Sequence, residues 1–243
     1  MTIDPLAEKY YNISPYAYVG NNPLKYIDPT GMAIDDYRLN SNGEIELIER
    51  TKDKFDRLIA ENGSSITVSK NKNGESVLSD LADNSKTFEN SEVFATGKRI
   101  AGRDETGKSF ERIEYPQVKG NYAVTKSEHE ALKVFVFAAK NSTVEWGVNN
   151  YKNGDWVVGT LRQGSQAPNF SAIDGINYTL ANTLYDAHSH GGTVPSYNFQ
   201  PSSNDNSIAS KILQHNPNAT VKLFMPQNPR QRWLNLPAEK KVY

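Results

Sequence analysis

The chain contains no cysteine among its 243 residues. That excludes disulfides, thiolate-held zinc and a thiol nucleophile, and it leaves the redox compartment open. Long apolar runs are also missing, and none approaches the roughly 18 residues of a membrane span. The opening Met1-Thr2-Ile3-Asp4-Pro5 has neither the basic nor the apolar region of a signal peptide, so no export address is expected in it. Charge of either sign is not in excess. With 27 Lys+Arg against 28 Asp+Glu, the formal charge is −1. Such a balance offers no electrostatic footprint for nucleic acid or an anionic membrane, and it weighs against a nuclease. Hydrophobic residues are sparse at 37%. One large domain, or a domain with an appendage, is affordable, with much of the chain in loops and exposed strand. Only four histidines are present, so any metal must be held by these and by carboxylates.

Three regions differ in texture. Residues 1–32 are rich in Tyr, Pro and Asn, and their Pro and Asn-Pro pairs forbid a long helix. Residues 33–125 read as a β-rich accessory region. Asn42-Gly43 and Asn73-Gly74 are hairpin-type dipeptides, Glu44–Ile48 partly alternates, and Asp53–Ala60 suits either a short helix or a strand. Residues 97–112, charged and punctuated by glycine, read as loop. No chemical constellation stands out in this region.

Residues 126–243 are the most ordered in pattern. Ser127-Glu128-His129-Glu130 has the form of a capping box, and Leu132, Phe135, Val136 and Ala139 follow at helical spacing. A strand is expected over 143–148, a turn at Asn153-Gly154, and a return strand over 155–161. A further strand over 184–190 precedes a Gly/Pro loop and a helix over about 203–214, whose inner face is Ile208, Ala209, Ile212 and Leu213. A last strand spans 219–225. This order predicts an α+β or mixed α/β layer arrangement.

The chemistry concentrates in His188-Ser189-His190, followed by Ser202 and Asp205. Alternate residues of a strand share a face, so both imidazoles point the same way, about 7 Å apart at the backbone. Asp205 falls in the first turn of the next helix, where the helix dipole keeps a carboxylate ionised, and Ser202 or Ser203 is its N-cap. Two neutral histidines and one aspartate hold a zinc ion and leave a fourth position for water. Glu145 is the candidate general base, on the strand face opposite Val144, Trp146 and Val148, a face turned either to solvent or to the metal cleft. Asp186 shares the His188 face and reads either as a partner of that histidine or as a strand-edge residue. His129 and His215 lie at helix ends and are not ligand candidates.

The pattern His188-Ser189-His190…Ser202-x-x-Asp205, with Glu145 upstream, resembles the JAB/JAMM (MPN-domain) zinc metalloproteases over about residues 125–225. The resemblance implies a cytidine-deaminase-like mixed sheet with flanking helices. It also implies zinc on His188, His190 and Asp205, acid–base work by Glu145, and stabilisation of the tetrahedral intermediate by Ser202. The implied reaction is cleavage of peptide or isopeptide bonds. One departure is clear: the family has Pro directly after the second histidine, where this chain has Gly191, and here residues 191–201 intervene before Ser202.

The segment Asp4-Pro5-Leu6-Ala7-Glu8-Lys9-Tyr10-Tyr11 through Asp28-Pro29-Thr30-Gly31-Met32 is similar to the C-terminal end of an Rhs/YD-repeat core, a β-shell that encloses a variable toxin. Together the two resemblances imply residues 1–32 as a core remnant and residues 126–243 as a JAB/MPN-like metalloprotease domain. They imply a bacterial polymorphic toxin cassette, delivered as part of a larger toxin. A protein or peptide substrate and a cognate immunity protein are the expected partners, with no nucleic acid. The alternatives are a catalytically silent MPN-like binding module and, second, a nuclease toxin.

Overall fold

A computed structural model describes residues 35–50, 54–83, 85–89, 98–114, 117–164, 167–168, 170, 173, 176–191, 200–230 and 232–237. The segment expected to be an Rhs-core remnant, 1–32, lies outside them. The described residues fold as a mixed α+β assembly of three helices and three sheets, in line with the class expected from sequence.

The first sheet contains β1 (Asp35–Leu39), β2 (Ile45–Glu49), β3 (Phe55–Ala60) and β4 (Ser65–Ser69) in the order β2-β1-β3-β4. The stretch that suited helix or strand is therefore strand β3. Its burial alternates with period two, as a sheet with one covered face requires. Asn73-Gly74 turns the chain from β4 into the helix α1 (Val77–Asp83) and closes no hairpin.

β5 (Ser85–Glu89) then joins the second sheet. β6 (Lys98–Arg103) and β7 (Ser109–Glu114) form a two-stranded hairpin where a loop was expected. Turn chemistry explains the difference, because Asp104 Oδ1 accepts hydrogen bonds from the Thr106 and Lys108 amides and closes the tip between charged strands.

The second sheet has seven strands. β8 (Gln117–Thr125) leads into α2 (Glu128–Asn141), capped by Ser127, whose side chain accepts from the Glu130 amide; the expected box is only half formed, because the Ser127 amide donates to Thr125 Oγ1 instead of to Glu130. Next come β9 (Trp146–Tyr151), β10 (Trp156–Thr160), β11 (Thr183–Ser189), α3 (Ser203–His215), β12 (Thr220–Phe224) and β13 (Trp233–Asn235). The strand order is β13-β12-β11-β9-β10-β8-β5. The division expected between 125 and 126 thus falls between two elements of one sheet, since β8 and β5 pair within it. β9 and β10 are central and buried on both faces, which is why their sequence reads as a nearly unbroken buried run.

Helices α1 and α2 lie between the two sheets, and one apolar cluster joins Leu39, Leu58 and Val68 of the first sheet, Leu78 and Leu81 of α1, Val134 and Phe135 of α2, and Trp146 and Val148 of β9. α3 covers the opposite face of the large sheet through Ala209 and Ile212, packed on Val221 and Leu223. No helix among the described residues is long and apolar enough to cross a membrane.

Phe135 is wholly buried, its ring 5.7 Å from Phe224 and 6.0 Å from Trp233. Phe135→Ala should therefore destabilise the fold by about 3–5 kcal/mol, read from urea unfolding.

Candidate metal centre

β11 carries Asp186 and His188 along one face, and His190, the residue just past the strand's end, continues the same alternation. Ser189 points the other way and is fully buried, where its Oγ accepts a hydrogen bond from the Trp146 amide at 3.0 Å. The His190 amide donates to the Phe224 carbonyl at 3.0 Å, so the end of β11 stays fixed to β12. The parallel pairing of β11 with β12 requires a crossover, which α3 supplies. The crossover brings the N-terminus of α3 over the C-terminal end of β11.

Ser202 is the N-cap of α3. Its Oγ accepts from the Asp205 amide at 3.1 Å, and its own amide donates to Asp205 Oδ2 at 2.6 Å. This reciprocal box fixes the Asp205 rotamer. The carboxylate then faces both imidazoles, with Oδ1 3.3 Å from His188 Nε2 and Oδ2 3.3 Å from His190 Nε2. One ligand atom from each of the three residues lies within 4.8 Å of the others. The two imidazole rings are 5.6 Å apart, centre to centre, and tilted by 51°.

These residues fit a divalent ion. Zinc bonds of about 2.0–2.1 Å in a tetrahedron place neighbouring ligand atoms about 3.3 Å apart, and each Asp205 oxygen stands that far from one imidazole, Oδ1 from His188 and Oδ2 from His190. His188 Nε2 is buried and, apart from the 3.3 Å approach of Asp205 Oδ1, has no hydrogen-bond partner among the described residues, which is costly for a polar atom. Three protein ligands leave one position open, the pattern of a catalytic rather than a structural site.

The electrostatics are mutual. Burial alone would push the Asp205 carboxyl up, but the two imidazoles and the Ser202 amide hold it far below the usual carboxylate range. Burial opposes the charge on His188, yet Asp205, with Asp186 and Glu145, raises its pKa above the ordinary histidine value.

Glu145 precedes β9 rather than sitting inside a strand over 143–148. Its backbone is held on both sides: the amide donates to the Gln163 carbonyl at 2.7 Å, and the carbonyl accepts from Thr160 Oγ1 at 2.6 Å. Val144, Trp146 and Val148 pack into the α2 core, so the Glu145 side chain takes the other face, shared with the histidines. It is 8% exposed. Burial pushes its carboxyl above the usual range, the charges of His188 and His190 oppose that, and Asp205 reinforces it. All four groups thus lie within each other's fields.

Gly147 pairs with His188 across β9 and β11, and a Cβ there would meet the ring of Pro168 at 3.0 Å. Gly191 replaces the proline that the resemblance calls for, and a Cβ would stand only 2.6 Å from the Thr143 carbonyl oxygen. At both places glycine lets backbone and loop approach the site closely.

Asp186 lies on a central strand, not at a strand edge. It is half-buried, accepts from Asn149 Nδ2 at 2.6 Å, and is pushed up chiefly by burial. Asn149 and Gly147 were not singled out in the sequence, although Glu145, Gly147 and Asn149 recur with period two. His129 and His215 are exposed and stand apart from the cluster.

His188→Gln should lower bound zinc from about one ion per chain to a small fraction of that, measured by metal analysis after dialysis, because two ligands remain where three are needed.

Residues 123–210 match the family described as JAB-like toxin 1, a span that contains Glu145, both histidines, Ser202 and Asp205. No curated protein and no solved structure matches the chain.

Proposed function

We propose that the JAB-like toxin domain at residues 123–210 is a zinc-dependent hydrolase that cleaves peptide or isopeptide bonds. The single observation that carries this reading is the convergence of His188, His190 and Asp205 on one point, with the buried Glu145 carboxyl on the same sheet face. The crossover from β11 through α3 to β12, beside antiparallel β9, supports a cytidine-deaminase-like sheet of the MPN kind.

His188, His190 and Asp205 would hold the ion. Zinc bound there would supply a Lewis acid that polarises a carbonyl and lowers the pKa of water toward neutrality. Glu145 takes a proton from the attacking water and later delivers one to the leaving amine. Burial raises its pKa above the ordinary carboxyl value, which favours the protonated form that delivers to the leaving amine. Ser202 Oγ is occupied as an acceptor by the Asp205 amide, which leaves its hydroxyl proton to donate to the developing oxyanion.

The full ligand set favours an enzyme over a silent binding module, and the balanced charge disfavours a nuclease. The Rhs-like segment at 1–32 supports a toxin cassette carried by a larger protein, with a cognate immunity protein as partner.

Glu145→Gln separates the roles. It should retain about one zinc per chain yet lose at least about 10²-fold in hydrolysis of a peptide and isopeptide substrate panel. Undiminished turnover would reject Glu145 as the base, and wild-type protein without metal would reject the hydrolase.

A further inference from the structure

The covered face of the first sheet holds a charged cluster remote in sequence from the metal centre. Asp35 opens β1, and Asp56 is its direct partner in the parallel register of β1 with β3. Lys70 follows β4, on the far side of β3 from β1. Its Nζ lies 2.5 Å from Asp35 Oδ2 and 3.0 Å from Asp56 Oδ1. The three side chains are almost sealed from water, at 6%, 9% and 1% exposure for Lys70, Asp35 and Asp56. Ser76 Oγ donates to Asp56 Oδ2, and buried Tyr37, Leu58 and Val68 belong to the same core.

Two carboxyl groups share one ammonium in this apolar setting. Burial raises the pKa of Asp56, Ser76 and Lys70 oppose the rise, and the Asp35 charge adds to it, so the setting favours its acid form. Burial favours a neutral Lys70 amine, while hydrogen bonds and charge from both carboxyl groups hold its pKa up. The remaining Lys70–Asp35 pair still bears the desolvation cost of two buried charges.

We propose that Lys70 and Asp35 condense into an intramolecular isopeptide bond, with Asp56 moving the protons. The Lys70 ammonium first passes a proton to the Asp35 carboxylate, which leaves a neutral amine and a carboxylic acid. The amine electron pair attacks Asp35 Cγ and forms the C–N bond, while the Asp56 acid protonates the carbonyl oxygen. The nitrogen returns a proton to the Asp56 carboxylate. The tetrahedral centre then expels one hydroxyl, protonated by the Asp56 acid, as water, and the remaining hydroxyl gives its proton back to the Asp56 carboxylate as the amide carbonyl forms. One ammonium and one carboxylate become one amide and one water, and Asp56 ends as it began. No oxidant, reductant or activated donor is required.

Two physical terms drive the reaction. Holding amine and carboxyl in contact gives an effective concentration that can reach about 10⁵–10⁸ M for well-oriented groups. The product is neutral, so the buried ion pair and its desolvation cost disappear together. The bond would tie the start of β1 to the end of β4 across β3, stapling the sheet that packs on α2.

Intact-mass measurement of the full chain tests this. The mass should fall below the sequence value by one water, and tryptic digestion should give a branched peptide joining the segments with Asp35 and Lys70, without cleavage after Lys70. Lys70→Arg keeps the ion pair but has no amine to condense. It should fold with an unchanged circular dichroism spectrum and show the full sequence mass. Asp56→Asn, folded by the same criterion, should leave most of the chain unlinked. A folded wild-type chain at full mass, with cleavage after Lys70, would overturn the proposal. So would a water loss that maps elsewhere, and complete linkage in Asp56→Asn would remove Asp56 from the chemistry.

Discussion

Asp205 sits in the first turn of α3 with its carboxylate between two imidazoles, and most of the local architecture can be read as what that placement requires. A carboxylate there is favoured by the helix dipole and by the Ser202 amide, so it stays ionised although partly buried. The histidines reach it because β11 ends one residue before His190 and its backbone is fixed on both sides. Trp146 reaches back from β9 to Ser189, and His190 reaches forward to Phe224 of β12. The alternation of the strand then sorts the side chains, with Ser189 turned to the α2 core and the histidines turned to the helix terminus.

Glu145 reaches the same point by another route. It stands where the chain leaves α2 and enters β9, and its position is set less by its own strand than by its neighbours. Ser142 links the end of α2 to the indole of Trp146, accepting from Nε1 and donating to the Ala138 carbonyl. The first sheet joins this region as well. The Thr143 amide donates to the Ser41 carbonyl, Gly43 approaches Val144 and Thr160, and Glu44 pairs with Arg162 at 2.9 Å. The β1–β2 turn thus touches both the segment that leads into Glu145 and the end of β10.

The same sheet shows what sequence patterns conceal. Asp35, Asp56 and Lys70 lie on three different segments, and no short motif links them. They meet because parallel pairing of β1 with β3 and antiparallel pairing of β3 with β4 bring one end of each strand together. The charged hairpin of β6 and β7 is concealed for the opposite reason. Its turn chemistry is local, but its composition resembles that of an exposed loop.

Sequence alone determined the local terms: the Ser127 and Ser202 caps, the apolar faces of α2 and α3, the period-two display of His188 and His190, and a carboxylate in the first turn of α3. Each depends on residues within about one turn of helix or a few residues of strand, where backbone geometry is nearly fixed. Tertiary structure alone decided that Glu145 faces the cluster rather than solvent, that Asp186 lies on a central strand against Asn149, and that β5 and β8 belong to the sheet carrying the site. Those outcomes turn on which strands pair and which face a helix covers. Such choices are made by burial summed over the whole core, which no single window of sequence contains.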